Sequence, residues 1–550
     1  MRIHRITVEN YSRIADLEID VRGHLVIVGA NDVGKTSLLR ILNLVLGPTA
    51  QLYQRLSLDD LRSQEKKLAV EVLFADLTEV ERAAFHQEID IHPEDKSESL
   101  RIRLEVQVDP DDSESVLIAR WSPGRRDVRN LTREQIDTLG WRYLSSQRQS
   151  SAAHLDGASG AIQTLLQAVE KDLGDEKTAM ERLLDSFNEK LGESNTLSKL
   201  RLDVAQHLSN SMPRKVDADD LAIRTATDPA QSILDNASFF VARDGTFKPL
   251  TEQSDGMRQL IAMTLFDLAE DAANVIAIDE PEIHLHPASQ RTVADLLTNT
   301  TNQKILVTHS PYIVQRFDPE QVVAVRPDGS SRQLTPGKFS IEEKYRAHWW
   351  SSLILEALTA RFAILVEGIA DRLIVEAAAR AMGISLDQIG AVVFELGGAE
   401  NFPEVYKLLG KNGFGVDVLG LVDKEEKGRW IGAVGGKPKH VEGSTVFVSD
   451  ADLEDEYCRA LGADTVAARL IEAGVARDEK ALLASCKVDN LGDVTDLSIA
   501  EFCRSRGGKG IGSRKVPAAL AVSKGLTRAE VENMESIHAL LVQLKLRAEA

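Results

Sequence analysis

His24-Leu25-Val26-Ile27-Val28-Gly29-Ala30-Asn31-Asp32-Val33-Gly34-Lys35-Thr36-Ser37 joins an unbroken apolar run to a glycine-punctuated loop. The run reads as a fully buried strand. The loop fits Gly-x-x-x-x-Gly-Lys-Ser/Thr, and an amphipathic helical pattern follows it in Leu38, Leu39, Ile41, Leu42, Leu44 and Val45. Glycines let backbone N–H groups curl round phosphates, and the start of the helix adds its positive end. Lys35 suits the terminal phosphates and the Thr36 hydroxyl suits Mg. Gly29, Asn31, Gly34, Lys35, Thr36 and Ser37 are therefore candidate nucleotide-binding residues.

Such a cradle needs carboxylates at another strand end. Val275 to Ile278 is an apolar run that ends in Asp279-Glu280-Pro281. Asp279 can hold Mg through water while Glu280 polarises the attacking water. Ahead of it, Ser254-Asp255-Gly256-Met257-Arg258-Gln259 opens a helical run, and the spacing of Ser254, Gly256 and Gln259 resembles the signature by which an ABC-type ATPase completes the nucleotide site of the opposite protomer. Lys304 to Val307 is a further buried strand, closed by Thr308-His309-Ser310, and His309 there suits sensing of a terminal phosphate.

At 550 residues the chain calls for two or more domains. Its formal charge of −20 repels nucleic acid as a whole, so any such partner needs a local basic groove. Cys458, Cys486 and Cys503 form no Cys-x-x-Cys pair and no disulfide framework, which fits a reducing compartment. No apolar run approaches the roughly 18 residues of a spanning helix, and a cytoplasmic location without membrane contact is expected.

Between the motifs, Leu68 to Leu73, Leu100 to Val108 and Val116 to Trp121 alternate as a strand meander, with an acidic helical run from Glu79 to Glu88. Trp141 to Leu144 is strand-like, and Arg148 beyond it reads equally as a phosphate contact or a solvated side chain. Residues 161–212 carry helical periodicity (Leu165, Leu166, Val169; Leu183, Leu184, Phe187), as a pair that either packs on its own domain or forms a dimer surface. No heptad repeat of several hundred residues is present, which excludes a long coiled coil. Residues 326–338 read as a linker, and Trp349-Trp350 as packing between domains.

After that linker a new pattern begins. Phe362 to Val366 ends at Glu367-Gly368, with Asp371 following; Val392 to Phe394 is a second strand; Val416 to Val422 ends at Asp423-Lys424-Glu425; Thr445 to Val448 precedes Asp450, Asp452, Glu454 and Asp455. Strands alternate with helices, so the sheet should be parallel and its strand-end acids should converge on one edge. Acids so placed either belong to separate solvated loops or share a divalent cation. Oxygen-only ligands favour Mg or Mn over zinc, and two such ions suit phosphodiester cleavage.

Residues 1 to about 330 resemble the ABC-type ATPases of the branch containing the RecF and SMC proteins. Asp32 stands where a glycine often sits in the cradle, and Ser12-Arg13 where related chains have arginine then serine. In such ATPases Pro-Glu-x-His-Leu-His-Pro is the turn that orders the dimer interface, so His284 and His286 are read as turn residues rather than metal ligands. Val-Glu-Gly-x-x-Asp and strand-Asp-x-Glu resemble the Toprim fold over residues 360 to about 520, with Glu425 in place of the usual aspartate. The two together resemble the OLD (overcoming lysogenization defect) family of nucleases, in its partner-less, class 1-like arrangement.

The resemblance implies an α/β chain made of an ABC-type (RecF/SMC-like) ATPase domain with a helical insert, followed by a Toprim domain with a parallel sheet. Its expected boundaries are ATPase 1–160, insert and possible dimerisation element 161–230, ATPase 231–345 and Toprim with a C-terminal helical region 346–550. It implies one metal on Glu367, Asp371, Asp423 and Glu425, and a second on Asp452 and Glu454. Lys515 would stabilise phosphate charge, with Arg504, Arg506, Lys509 and Arg514 forming the basic patch. Implied cofactors are ATP and Mg, or Mn at the nuclease site; implied partners are DNA and a second copy of the chain, because the Ser254 motif of one head completes the site of another. An accessory protein is left open, as is the choice between antiphage defence and DNA repair. The alternative is a repair ATPase whose Toprim domain binds nucleic acid without cutting it. A topoisomerase would need an attacking tyrosine, for which Tyr457 stays open, and a primase a template-binding module.

Overall fold

The structure, a computed structural model, describes residues 1–112, 114–125, 128–145, 173–199, 202, 217, 240–243, 246–249, 252–254, 256–258, 260–261, 274–298, 301–337, 339–506 and 513–549. The chain divides into two compact units, Met1–Ile136 with Val307–Ala550, and Asp137–Leu306.

The first unit opens with β1 (Arg2–Glu9), β2 (Leu17–Asp20), β3 (Leu25–Gly29), α1 (Lys35–Leu46), β4 (Leu68–Ala75), β5 (Ile89–Ile91), β6 (Glu98–Val108) and β7 (Val116–Trp121). The order β2-β1-β4-β6, with β5 and β7 both paired to β6, makes the expected antiparallel meander. Along β6, Ile102, Leu104 and Val106 face inward and Arg101, Arg103 and Glu105 outward, the period of two that a half-buried strand requires. The helix begun by the Thr78–Glu81 capping box ends at Ala84, short of Glu88. Phe85 is pulled wholly into the core, and the buried Glu88 carboxylate pairs with Arg125 at 3.1 Å. From β7, the buried Arg120 donates to the carbonyls of Leu44, Val45 and Gly47 and to Thr49 Oγ1. It thereby satisfies the open carbonyl end of the helix that follows the phosphate loop.

In the second unit lie β8 (Trp141–Leu144), α2 (Asp175–Glu193), β9 (Phe240–Arg243), β10 (Thr246–Pro249), β11 (Val275–Asp279), α3 (Pro287–Thr298) and β12 (Gln303–Val307), which leads the chain back to the first. β8 and β11 run parallel, from Trp141↔Val275 to Leu144↔Ile278. Asn274 fixes their start by donating its side-chain amide to the Thr138 and Leu139 carbonyls. Every residue of β11 is buried, as its unbroken apolar run demands. Most of 161–230 lies outside the described residues, as do Arg148, Gln259 and Lys509; α2 confirms helix within that span.

Back in the first unit, β13 (Val322–Val325) runs parallel to β3, with Val325 opposite Gly29, and pairs antiparallel with β14 (Ser331–Gln333). Residues 326–330 are thus a hairpin turn, not the expected linker: Arg326 N–H donates to Ser330 and Gly329 N–H to Arg326. The Arg326 side chain is buried and donates to the carbonyls of Leu358, Ala360 and Phe414, which pins this hairpin to the base of the sheet that follows. Trp349 is buried with its indole N–H on the Phe317 carbonyl at 3.0 Å, while Trp350 is half exposed.

That sheet contains β15 (Phe362–Val366), β16 (Ala391–Glu395), β17 (Asp417–Asp423) and β18 (Val446–Ser449) in the order β16-β15-β17-β18, every pairing parallel. The connecting helices are α4 (Ile369–Ala381), α5 (Phe402–Leu409) and α6 (Lys427–Val434); α7 (Leu453–Leu461), α8 (Asp496–Arg504), α9 (Lys515–Ser523) and α10 (Glu535–Glu549) follow β18. Ile364, Leu419, Leu421 and Phe447 of the sheet, Ile374 and Val375 of α4 and Ile537, Leu540 and Leu544 of α10 share one core. Each such side chain contributes about 1.5–3 kcal/mol on burial. Because all four strands are parallel, their carboxyl ends open on one edge.

Candidate functional site

In the first unit, β3 delivers Gly29 so close to β13 that a Cβ there would lie 2.5 Å from the Val325 carbonyl oxygen. Asp32 adopts φ +62°, the left-handed conformation for which glycine is usual and which aspartate tolerates through its short polar side chain. Gly34 follows at φ +98°, against the Ile14 side chain. Lys35 is buried and its ammonium donates to the Ala30 carbonyl at 2.5 Å, across the loop it would present to phosphate. Asn31 and Thr36 are exposed. Thr308 N–H donates to Ile27, which sets the half-buried His309 just beyond the carboxyl end of β3.

In the second unit, Asp279 is fully buried at the end of β11, and Glu280 turns out of the strand at φ +52°. His286 accepts the Ala288 N–H at 3.3 Å through Nδ1, and His284 sits at φ +62°. Both histidines therefore build the turn into α3. Ser254 accepts from Met257 N–H, and a Cβ on Gly256 would lie 2.9 Å from the His284 carbonyl oxygen, so the motif packs on that same turn.

The parallel sheet gathers the third set. Glu367 follows β15 and accepts the Asp423 N–H from the end of β17 at 3.4 Å. Asp371, in the first turn of α4, accepts the Gly368 N–H at 2.9 Å. Glu454, near the start of α7, is buried and meets Lys515 of α9 at 3.3 Å. Burial, reinforced by Glu367 and Glu454, pushes the Asp371 carboxyl up to about 7. Burial with the charges of Glu367, Asp371 and Asp452 pushes Asp423 up to about 8. Glu367 and Glu454 are raised too, chiefly by burial and despite Lys515. Burial pulls Lys515 down, but Glu454, Asp423 and Asp452 outweigh it and lift the ammonium above its ordinary value.

Among the described residues no three His, Cys, Asp or Glu side chains are closed up tightly enough to hold an ion as they stand. The donor set nevertheless fits a hard divalent cation: carboxylate oxygens, desolvated, each made less acidic by the others, with Lys515 facing them. Such mutual repulsion is what a bound cation relieves.

Glu425 is exposed after β17, and the half-buried Glu426, which sequence reading passed over, adds its charge to that of Glu454 in raising Glu367. Spacing hid this, because Glu425 and Glu426 both follow Asp423-Lys424 at the turn into α6. Asp452 caps α7 by accepting Asp455 N–H at 2.9 Å and pairs with Arg504 Nε at 2.6 Å. Arg504 also reaches Asp455 at 3.3 Å. Arg514 lies over the Phe502 ring and donates to Ser505, and Arg506 is exposed. Tyr457 is completely buried and so offers no attacking hydroxyl. Asp450 faces outward, paired with Lys424 and Arg459.

The family profile described as "AAA domain, putative AbiEii toxin, Type IV TA system" matches residues 25–315, and the profile described as "Overcoming lysogenization defect protein-like, TOPRIM domain" matches residues 358–424. The chain is similar to Endonuclease GajA of Bacillus cereus (strain VD045), 20% identical over 437 residues, 72% of this chain and 71% of that one. It is similar to the OLD nuclease of Thermus scotoductus (strain ATCC 700910 / SA-01), 25% identical over 413 residues, 67% of this chain and 72% of the relative. Among solved structures, the C-terminal region of the Burkholderia pseudomallei OLD protein aligns at 24% identity over 34% of this chain and 98% of its own, with a TM-score of 0.28. No described helix is long and apolar enough to cross a membrane.

Proposed function

Because the chain belongs to the AAA domain family and carries an OLD-like TOPRIM domain behind it, we propose that it is an ATP-binding, divalent-metal-dependent DNA nuclease. The observation that carries the reading is the convergence of Glu367, Asp371, Asp423 and Glu454 on one edge of a parallel sheet, opposite Lys515. The two relatives named as nucleases support it.

Glu367, Asp371 and Asp423 would hold one Mg or Mn ion, Glu425 or its neighbour Glu426 completing the set, and Asp452 with Glu454 would serve a second. The ions would supply Lewis acidity toward the scissile phosphate and a water made nucleophilic near neutral pH. Lys515, half exposed beside the carboxylates, is placed to hold charge developing on the phosphate oxygens. Burial keeps Glu454 oriented by α7 and shields the edge on which the phosphodiester must lie. Arg504, Arg506 and Arg514 provide the local positive charge that a chain of net charge −20 needs to approach DNA.

Motif by motif, Gly29, Asn31, Gly34, Lys35, Thr36 and Ser37 would bind the phosphates of ATP, Thr36 and Asp279 its Mg, and Glu280 the attacking water. His309 would sense the terminal phosphate. Ser254, Gly256 and Gln259 would complete the site of a second copy, making the working form a homodimer. Nucleotide would regulate cutting, in phage defence or in DNA repair. Domain limits of 1–160 and 231–345 for the ATPase, 161–230 for its insert and 346–550 for the Toprim region follow from the same reading.

Cleavage of supercoiled plasmid in Mg or Mn, with and without ATP, by wild type, Glu367→Ala and Lys35→Ala tests the proposal. Loss of cutting in Glu367→Ala, with altered ATP dependence in Lys35→Ala, is the expected result. A wild-type protein that hydrolyses ATP and leaves every DNA form intact would sink it, and would favour the DNA-binding repair ATPase.

A further inference from the structure

The five carboxylates of the Toprim edge are not neutralised evenly. Asp452 has one oxygen committed to the Asp455 N–H and the other 2.6 Å from the Arg504 guanidinium, which also reaches Asp455. Glu454 is buried against the Lys515 ammonium at 3.3 Å. Each carboxylate assigned to a second ion therefore already has a cation of the protein beside it. Glu367 and Asp371 each accept one backbone N–H, and among the described residues neither they nor Asp423 has a side-chain ion pair. An arginine and a lysine, both partly exposed, can swing toward solvent without unpacking a core. A nucleic-acid phosphate is the ligand most able to draw them, since a guanidinium and an ammonium both bind it strongly.

We propose, resting on the nuclease reading above, that Arg504 is a positioning residue that acts through Asp452. With Lys515 on Glu454 it stands in for the second divalent ion in the free protein, and it releases that position only when a DNA phosphate takes the two cations. The free protein then holds one ion, at Glu367, Asp371 and Asp423. The second enters with substrate, so cutting chemistry is assembled on DNA and not before. Asp452, in the free protein, is a cap and an anchor for Arg504 and not a standing metal ligand.

The test is Mn²⁺ binding to the full chain, counted by the electron paramagnetic resonance signal of free Mn²⁺, with and without a short duplex DNA whose phosphorothioate linkages resist cutting. Wild type is expected to bind one ion per chain alone and two with DNA. Arg504→Gln is expected to bind two without DNA, its second ion tightened by roughly ten-fold or more, the scale on which neighbours of metal ligands act. Arg504→Lys, which keeps the charge, is expected to restore the one-ion count and shows that loss of fold is not the cause. Two ions in free wild type, or an Arg504→Gln count equal to wild type, overturns the inference and leaves the nuclease reading standing. No Mn²⁺ bound by any of the three proteins overturns both.

Discussion

The Lys515 ammonium lies 3.3 Å from the Glu454 carboxylate, which is almost fully buried and sits in the first turn of α7. The lysine is thus both the neutralising charge of a desolvated acid and a positive group at the edge where a phosphate would arrive. Lys515→Met should lower single-turnover cleavage by roughly 10²–10³-fold, as loss of one charge-stabilising donor does. Mn²⁺ affinity should rise, because a cation competing for the same carboxylates is gone. A variant that binds Mn²⁺ more weakly and cuts normally would show the lysine to be a structural partner alone.

Asp371 and Asp423 set a pH dependence whose sign can be worked out. Folding raises both carboxyls from 3.8, to about 7 and about 8. The facing groups are Glu367, Glu454 and Asp452, which raise them, and Lys515, which lowers Asp423. A raised folded value means that the contribution to stability is complete below the unfolded value and is lost as pH climbs through the folded one. The metal-free melting temperature should therefore fall as pH rises from about 4 to about 8 and level off above that. Added Mn²⁺ should restore it, with a gain that grows with pH. A metal-free melting temperature that is flat or rising over that range would contradict the site's electrostatics.

Gly29 and Lys35 should separate packing from phosphate contact. A Cβ at Gly29 would meet the Val325 carbonyl oxygen at 2.5 Å, so Gly29→Ala must push β3 away from β13. Overpacking of that kind costs typically 1–3 kcal/mol, and both melting temperature and ATP binding should drop. Lys35→Ala adds no atom to the loop, removes the ammonium that donates to the Ala30 carbonyl, and should abolish ATP binding with a smaller change in melting. Calorimetry beside nucleotide binding distinguishes the two; equal melting temperatures would mean the sheet accommodates the methyl group.

Arg326 is the third structural commitment. Its guanidinium, which burial holds at about 10, donates to three carbonyls in the following domain. Arg326→Met would leave those acceptors buried and unpaired at about 1–3 kcal/mol each. A drop in melting temperature of roughly 10 °C is expected, with Arg326→Lys intermediate. A loss under about 2 °C would show that water reaches the seam.

Much of this was legible from residue order. Unbroken apolar runs ending in glycine or acid gave β3, β11, β15 and β17 to within a residue or two, because a strand buried on both faces excludes unpaired polar interruptions. The meander and the all-parallel second sheet followed from alternation and strand–helix order. Three features did not follow. Glu425 and Glu426 are adjacent, and their different exposure comes from a turn geometry that no periodicity encodes. Arg326 sits in Arg-Pro-Asp-Gly-Ser-Ser, whose composition is that of any loop, and only a distant set of carbonyls makes it an anchor. Arg504 was legible as a positive charge near the acids, yet its pairing with Asp452 needed α7 and α8 side by side, a long-range contact. Asp32 runs the other way: its departure from glycine looked troubling in sequence and is harmless in space, since aspartate takes the left-handed conformation directly.

The seam at Arg326 has an evolutionary side. Every acceptor it uses is a main-chain oxygen, and every sequence supplies main-chain oxygens. The side chains of Leu358, Ala360 and Phe414 can drift while the join persists, provided the backbone keeps its path. A nuclease module exchanged between distant relatives would dock on this ATPase wherever its strand bases held the same shape. One arginine thus makes the two halves compatible by geometry and leaves each free to change its letters.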